Sequence, residues 1–206
     1  MKKETMLKKI AQKGYDVNYA ANLNFATYDI IAKFPGIVSF LSITIGILGL
    51  VVPAFQLTGV SVAILIIGIL SLYIENFTIN KDEYAQRGVD NTALLYRLKN
   101  LYFKVKDSDK EDDSFVEEEK DYEAIENDFN ATSSTKQILF ANWFAHYKLF
   151  VEKDYSWMDE QLHFGWWKDK IPGTAKVAFI CIVIVLIILI MIYWSNIVTT
   201  VGGWFR

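Results

Sequence analysis

Side chains that usually carry chemistry are few and poorly grouped in this 206-residue sequence. It contains two histidines, His146 and His163, and one cysteine, Cys181. Two histidines exclude a histidine-rich metal site and leave few ways to build a His-based catalytic triad, so both are assigned to surface or packing roles. Cys181 sits inside an apolar run without an intramolecular partner, so disulfides play no part in the fold. One pattern has ligand spacing: Asp107, Asp109, Glu111 and Glu118 occupy the first, third, fifth and twelfth positions of a calcium loop. Its sixth position is Asp112, where the sharp turn of such a loop needs glycine, so the calcium reading fails. The sequence has no phosphate-cradling glycine loop, no paired-cysteine zinc pattern and no nucleophile elbow. The expectation is a protein that is not an enzyme, with no catalytic residue, no cofactor, no metal and no direct nucleic-acid binding.

The polar groups with regular spacing are instead small hydroxyls in an apolar setting. Gly36, Ser39, Ser42, Gly46 and Gly49 follow one another at steps of three, three, four and three, and so share one helical face. Ser61, Gly68 and Ser71 repeat the arrangement more weakly. Such a face permits close approach of helix backbones, which is what membrane helices need, since apolar side chains gain little by leaving lipid. Two readings stand: plain packing of a helical hairpin, or a hydroxyl-bearing lining for a water-filled pore in an oligomer. The opposite face, with Ile37, Leu41, Ile45 and Leu48, is bulky and suits lipid. No acid, base or histidine accompanies the hydroxyls, which argues against a proton-coupled carrier or pump.

These residues lie in 34–74, forty-one positions without a charged side chain, between Lys33 and Glu75. One helix of that length would rise about 60 Å, twice the roughly 30 Å hydrocarbon core of a bilayer. The run must therefore cross twice. Its break is written at 53–59, where Pro53, the run's only glutamine, Gln56, and Gly59 meet. The expected spans are 34–52 and 59–74. A second uncharged run covers 177–205, and its first eighteen residues, to Trp194, are apolar without interruption. This is a third span, apolar on every face after Ala178, and a lipid-facing position is expected for it. Trp166, Trp167 and Lys168 before it, and Tyr193 and Trp194 at its far end, read as membrane-interface anchors.

Basic residues flanking the spans set the orientation. Lys2, Lys3, Lys8, Lys9, Lys13 and Lys33 precede the first span and Lys168, Lys170 and Lys176 the third, while the turn is uncharged and the tail has only Arg206. The N-terminus and 75–176 are therefore expected in the cytoplasm and the C-terminus outside. The first thirty-three residues carry six lysines and no apolar stretch of a signal peptide, so the first span itself is expected to direct insertion. Two glycosylation-type sequons, at Asn76 and Asn130, fall on the expected cytoplasmic side and are read as accidental.

The polar part reads as helical. Leu7, Ile10, Gly14, Val17, Ala21, Asn24, Tyr28 and Ile31 form a heptad-like seam with one breaker, Gly14. It serves either packing on the chain's own cytoplasmic helices or a contact between identical subunits, on a helix ending at Phe34-Pro35. A helix over 78–106 carries the stripe Tyr84, Val89, Ala93, Tyr96, Leu98, Leu101, Tyr102 and Val105, with Gly88 as its weak point, and could extend the second span by about 40 Å. In 107–128 twelve acidic residues meet two lysines, a net charge of −10, which reads as a solvated loop or helix end; a minority reading folds it back on the basic N-terminus or makes it the place where a regulator docks. Ser134 and Gln137 read as a capping box for a helix over 135–153, whose stripe Phe140, Trp143, Phe144, Tyr147 and Val151 is assigned to packing on 78–106. Asp154 or Ser156 caps a short helix to about His163. The fold class is an all-α integral membrane protein in four parts: an N-terminal cytoplasmic helix (1–33), a two-span hairpin (34–74), a cytoplasmic helical region (75–170) and a C-terminal transmembrane helix (171–206).

The stretches Tyr15-Asp16-Val17-Asn18-Tyr19-Ala20, Phe25-Ala26-Thr27-Tyr28-Asp29-Ile30 leading to Pro35-Gly36, and Arg87-Gly88-Val89-Asp90 resemble the SLATT domains, bacterial two-transmembrane effector modules. The likeness spans about residues 5–106, and the third span exceeds the two-span plan. The resemblance implies a role in bacterial conflict systems against phage, with a hairpin that forms a pore in the inner membrane and kills or arrests the infected cell. It also implies a sensing partner, such as a nucleotide-signal synthase acting through its nucleotide product, a nucleotide-binding sensor or a reverse transcriptase. The expected protein is thus a homo-oligomeric pore-forming effector in the lipid bilayer, gated through its cytoplasmic helices. A membrane-anchored adaptor that tethers a cytoplasmic interaction domain is the alternative.

Overall fold

The computed structural model describes residues 2–109, 115–132 and 137–202, and every regular element among them is helical. Three of the helices are long and apolar enough to cross a membrane. The chain divides into two compact units, 1–163 and 164–206.

The first unit is built on α1, Lys3–Gly49, one helix of forty-seven residues. It does not end at Phe34-Pro35: Pro35 lies inside it. Proline there withholds the N–H that would reach the Ile31 carbonyl, a loss of about 3 kcal/mol in an ordinary helix interior. The loss is offset by packing, since Ile31, one turn before the proline, and Val38, one turn after it, are both buried. The bundle and the first span are therefore a single rod.

The chain turns through 50–57. A short 3₁₀ turn at Pro53–Gln56 leads into α2, Thr58–Glu75. Gln56 Nε2 donates to the Gly49 carbonyl at 2.8 Å, occupying one of the carbonyls that a helix end leaves open. Gln56→Ala is expected to weaken the turn by about 1 kcal/mol, read as a lower unfolding force for the hairpin in single-molecule pulling; an unchanged force would refute the cap.

After α2 a second 3₁₀ turn, Thr78–Asn80, precedes α3, Lys81–Lys106, which packs along α1. Lys81 lies over the Tyr28 ring, Gly88 faces Phe25 and Lys3 reaches the Ser108 carbonyl, so α3 runs antiparallel to α1. Its buried face is Tyr84, Gly88, Asn91, Leu94, Leu98, Leu101, Tyr102 and Val105. Val89, Ala93 and Tyr96 from the expected stripe are exposed. Gly88 is not a weak point but a seat: a Cβ there would come within 2.7 Å of the Phe25 ring.

The seam on α1 is covered within the same chain by α3, by α5, Ala141–Tyr147, and by α6, Ser156–Leu162. Trp157 of α6 is fully buried and its ring lies on Gly14, where any Cβ would overlap it. The supposed breaker is the recess that admits the largest side chain of the core.

The acidic stretch is not simply a solvated loop. Its later part forms α4, Val116–Thr132, packed on α3 and α1. Phe115, Glu118, Tyr122 and Ile125 are buried at steps of three, four and three. Basic residues of α1 and α3 pair with four of its acids: Lys13 with Glu126, Arg97 with Asp128, and Lys104 with both Glu118 and Asp121. Lys9 lies 4.2 Å from the Tyr122 ring centre. The fold-back on the basic N-terminus is therefore present.

The expected helix over 135–153 starts later. Ser134 of its capping box lies outside the described residues, and α5 begins only at Ala141, after Phe140 in the left-handed region with φ 67°. The helix then widens into a π turn over Lys148–Glu152. Its buried face is Ala141, Ala145 and Leu149, packed mainly on α1 rather than α3, while Phe140, Tyr147 and Val151 are exposed. Two alanines let α5 approach α1 more closely than an aromatic stripe would allow. Before α6, Asp154 Oδ1 accepts from the Ser156 N–H and hydroxyl at 3.1 and 2.6 Å, as a helix-opening acid should. These bonds and that from Lys99 hold the Asp154 carboxyl down at about 2.

The second unit consists of the 164–172 connection and α7, Gly173–Gly202, whose apolar section runs to Met191. Trp166, Trp167, Lys168, Tyr193 and Trp194 are all exposed, and Lys176 lies over the Trp167 ring while donating to the Lys168 carbonyl.

Candidate functional site

The residues with functional promise fall in the membrane hairpin and at its base. Along the hairpin the small-residue positions divide into two groups. Ser42, Gly49, Gly68 and Ser71 are half-buried, whereas Ser39, Gly46 and Ser61 are exposed. Gly36 is exposed as well, and a Cβ at Gly36, Gly46 or Gly68 would meet nothing within 4 Å. Gly49 approaches the Phe55 carbonyl, 3.8 Å from where its Cβ would stand. The α1–α2 contact thus uses only part of the small-residue face, and the edge from Gly36 through Ser39 to Gly46 is left open by the described residues of the 1–163 unit.

At the base, one turn below the uncharged run, Asp29 accepts from Lys33 Nζ and from Lys148 Nζ, each at 2.6 Å. The Asp29 and Lys148 side chains are both 15% exposed. Burial pushes the Asp29 carboxyl up, but hydrogen bonds and charge from the two lysines outweigh it and hold the group below its usual value. Lys148 also lies 4.8 Å from the Phe144 ring centre and opens the π turn, a rare geometry frequent at functional sites. This latch ties α1, immediately below the membrane, to the segment after α5. The Asp29 and Lys33 pair is visible in the sequence as neighbours four apart; Lys148, at 119 positions' remove, left no signal.

Further down, Asn18 and Asn22 are buried in the α1–α3 interface, and Asn22 Nδ2 donates to the Asn18 backbone and side-chain oxygens at 2.8 Å. Asn18 Nδ2 and Asn22 Oδ1 have no partner. Each orphaned polar atom lowers stability by about 1–3 kcal/mol, which makes this interface polar and less firmly committed than an apolar one. Replacing both amides, Asn18→Leu with Asn22→Leu, is expected to raise the urea midpoint of the bundle at unchanged helicity, measured by circular dichroism in micelles, whereas Asn22→Leu alone strips Asn18 Oδ1 of its donor and should not; a lowered midpoint in the double variant would refute this.

An uncharged helical hairpin continued into an antiparallel helical bundle defines the class: an all-helical protein with helices long and apolar enough to cross a membrane. A family model described as the SMODS and SLOG-associating 2TM effector domain, number 6 of the SLATT set, matches residues 1–193, and the chain belongs to that family. The match includes the third apolar helix over Gly173–Met191, beyond the two spans of the family's description. No curated protein and no solved structure matches the chain.

Proposed function

We propose that this chain is an oligomeric pore-forming effector of a bacterial antiphage system, seated in the inner membrane with its N-terminus and bundle in the cytoplasm and its C-terminus outside. Hairpins of several copies surround an axis, with Ser39, Ser42, Gly46, Gly49, Ser61, Gly68 and Ser71 packing against neighbours or lining the path. The observation that carries this reading is the unoccupied small-residue edge of α1, open at Gly36 and Gly46, on a span without a single charge. Packing between membrane helices rests on such faces.

The bundle is the gate. Because α1 passes from Lys3 to Gly49 without interruption, a change in how α3, α5 and α6 hold its lower half moves the span directly. A sensing partner, or the nucleotide that partner makes, supplies the bias. Moving the population from 1:99 to 99:1 needs a preference of about 5.5 kcal/mol for the open form.

The test is release of solutes of graded size from liposomes holding the full chain, with its oligomeric mass measured in nanodiscs. Release by a discrete oligomer, lost in Gly46→Leu, is the expected result. A monomer or dimer that leaks nothing even with its genomic neighbour added would leave a tethered adaptor, in which an unrelated two-span hairpin could replace 34–74 without loss of activity.

A further inference from the structure

Between the base of the hairpin and the start of α5 lies an apolar cleft of about 190 Å³, with no polar surface in its lining. Its walls are Ile30 and Phe34 of α1, Leu70, Tyr73 and Ile74 of α2, and the 138–140 turn. Phe34 opens the uncharged run and Ile74 closes it, so the cleft sits at the level where the bilayer surface must cut the two helices. The bundle falls away from that level. Lys148 is tied to Asp29, His146 stacks edge-on to Tyr19, and Phe150 meets Tyr15, so α5 and the π turn descend along α1. Of this segment, the 138–140 turn stands nearest the membrane.

That turn presents apolar side chains where a water-facing loop would not. Leu139 is 54% and Phe140 50% exposed, and Phe140 is held in the left-handed region, which bulky residues rarely adopt. Ile79, in the 3₁₀ turn that leaves α2 at the same level, is 92% exposed. Leu139 and Phe140 are themselves walls of the cleft, and the neighbouring turns of α1 and α2 expose Ile37, Phe40, Ile69 and Leu72.

We propose that the Leu139–Phe140 turn is a membrane anchor inserted into the headgroup region, and that the cleft behind it seats one acyl chain of a bilayer phospholipid. The occupant follows from continuity: in a bilayer, lipid would cover the exposed Phe40 and Leu72 on the same two helices, and an acyl chain is the apolar body that reaches the cleft without crossing water. Insertion removes the exposed apolar tip from water and supports the Phe140 conformation. The inference needs α1 and α2 to cross a bilayer and is independent of whether they form a pore.

The test uses the full chain in phospholipid nanodiscs with Cys181→Ala and a nitroxide at Leu139→Cys. Controls are Ile37→Cys, exposed in the span, and Val151→Cys, exposed further down the same segment. The expected ratio of oxygen to nickel-chelate accessibility at position 139 approaches that at 37 and exceeds that at 151 several-fold. A ratio equal to that at 151 would overturn the anchor. Phospholipid carrying a diazirine on its acyl chain should label the 138–140 segment, and Phe140→Asn, which keeps the left-handed backbone, should cut that labelling several-fold while leaving labelling of the spans intact. Absence of lipid labelling, or contact-range coupling between nitroxides at position 139 of two copies, would give the cleft to another occupant and refute the proposal.

Discussion

Trp157→Ala is expected to destabilise the 1–163 unit by about 3–5 kcal/mol, the range for emptying a fully buried aromatic site. Trp157 is 2% exposed, lies against Tyr102 with ring centres 5.2 Å apart, and covers Gly14 of α1. Gly14→Ala should come close to the same loss from the other side, because its methyl group overlaps the indole and a ring held between α1 and Tyr102 of α3 cannot retreat. The decisive measurement is the double variant. With the indole gone, the methyl group added at position 14 fills part of the cavity, so the double variant should recover at least about 1 kcal/mol over the sum of the single losses. Urea midpoints by circular dichroism in micelles give all four corners of the cycle. Strict additivity would mean that the ring does not rest on Gly14.

Asp29→Ala is the second large effect. It leaves the ammonium of Lys148, only 15% exposed, without its carboxylate, and it unties α1 from the π turn. Removing one partner of a largely buried pair is strongly destabilising; with Lys33 exposed and able to turn to solvent, about 2 kcal/mol is expected. The folded carboxyl lies below its unfolded value, so its contribution is complete above the unfolded pKa and disappears as pH falls through the folded one. The wild-type chain should therefore lose bundle stability on acidification below about pH 4 more steeply than Asp29→Ala, which lacks that titration. If the bundle gates the hairpin, Asp29→Ala should also raise basal solute release from liposomes. Identical acid profiles for the two chains would dismiss the latch.

Much of the apolar part was legible because it depends on local chemistry. A forty-one-residue uncharged run with Pro53 and Gln56 inside has one way to be accommodated, and the turn stands at 50–57. Of the two residues expected to cap α6, Asp154 accepts from the first-turn N–H of Ser156, although the N-cap position itself falls on Tyr155. Pro35 misled, because a proline that would end an unsupported helix is carried through where the turns on either side of it are buried, at Ile31 and Val38. The stripe from Phe140 to Val151 misled for a different reason. Helical spacing identifies a face, but which face is buried depends on the partner, and α1 accepted Ala141 and Ala145.

By itself, then, the amino-acid order determined the helical class, the long apolar helices with the turn between the first two, and the family, since each follows from composition, run length or neighbours a few positions apart. Tertiary structure alone decided that Gly14 and Gly88 are seats for Trp157 and Phe25, that the acidic segment becomes a packed helix, and that Asp29 meets Lys148. The physical reason is common to all three. Contact energies across distant segments depend on which surfaces approach closely, and a single sequence carries no record of that choice until the chain has folded.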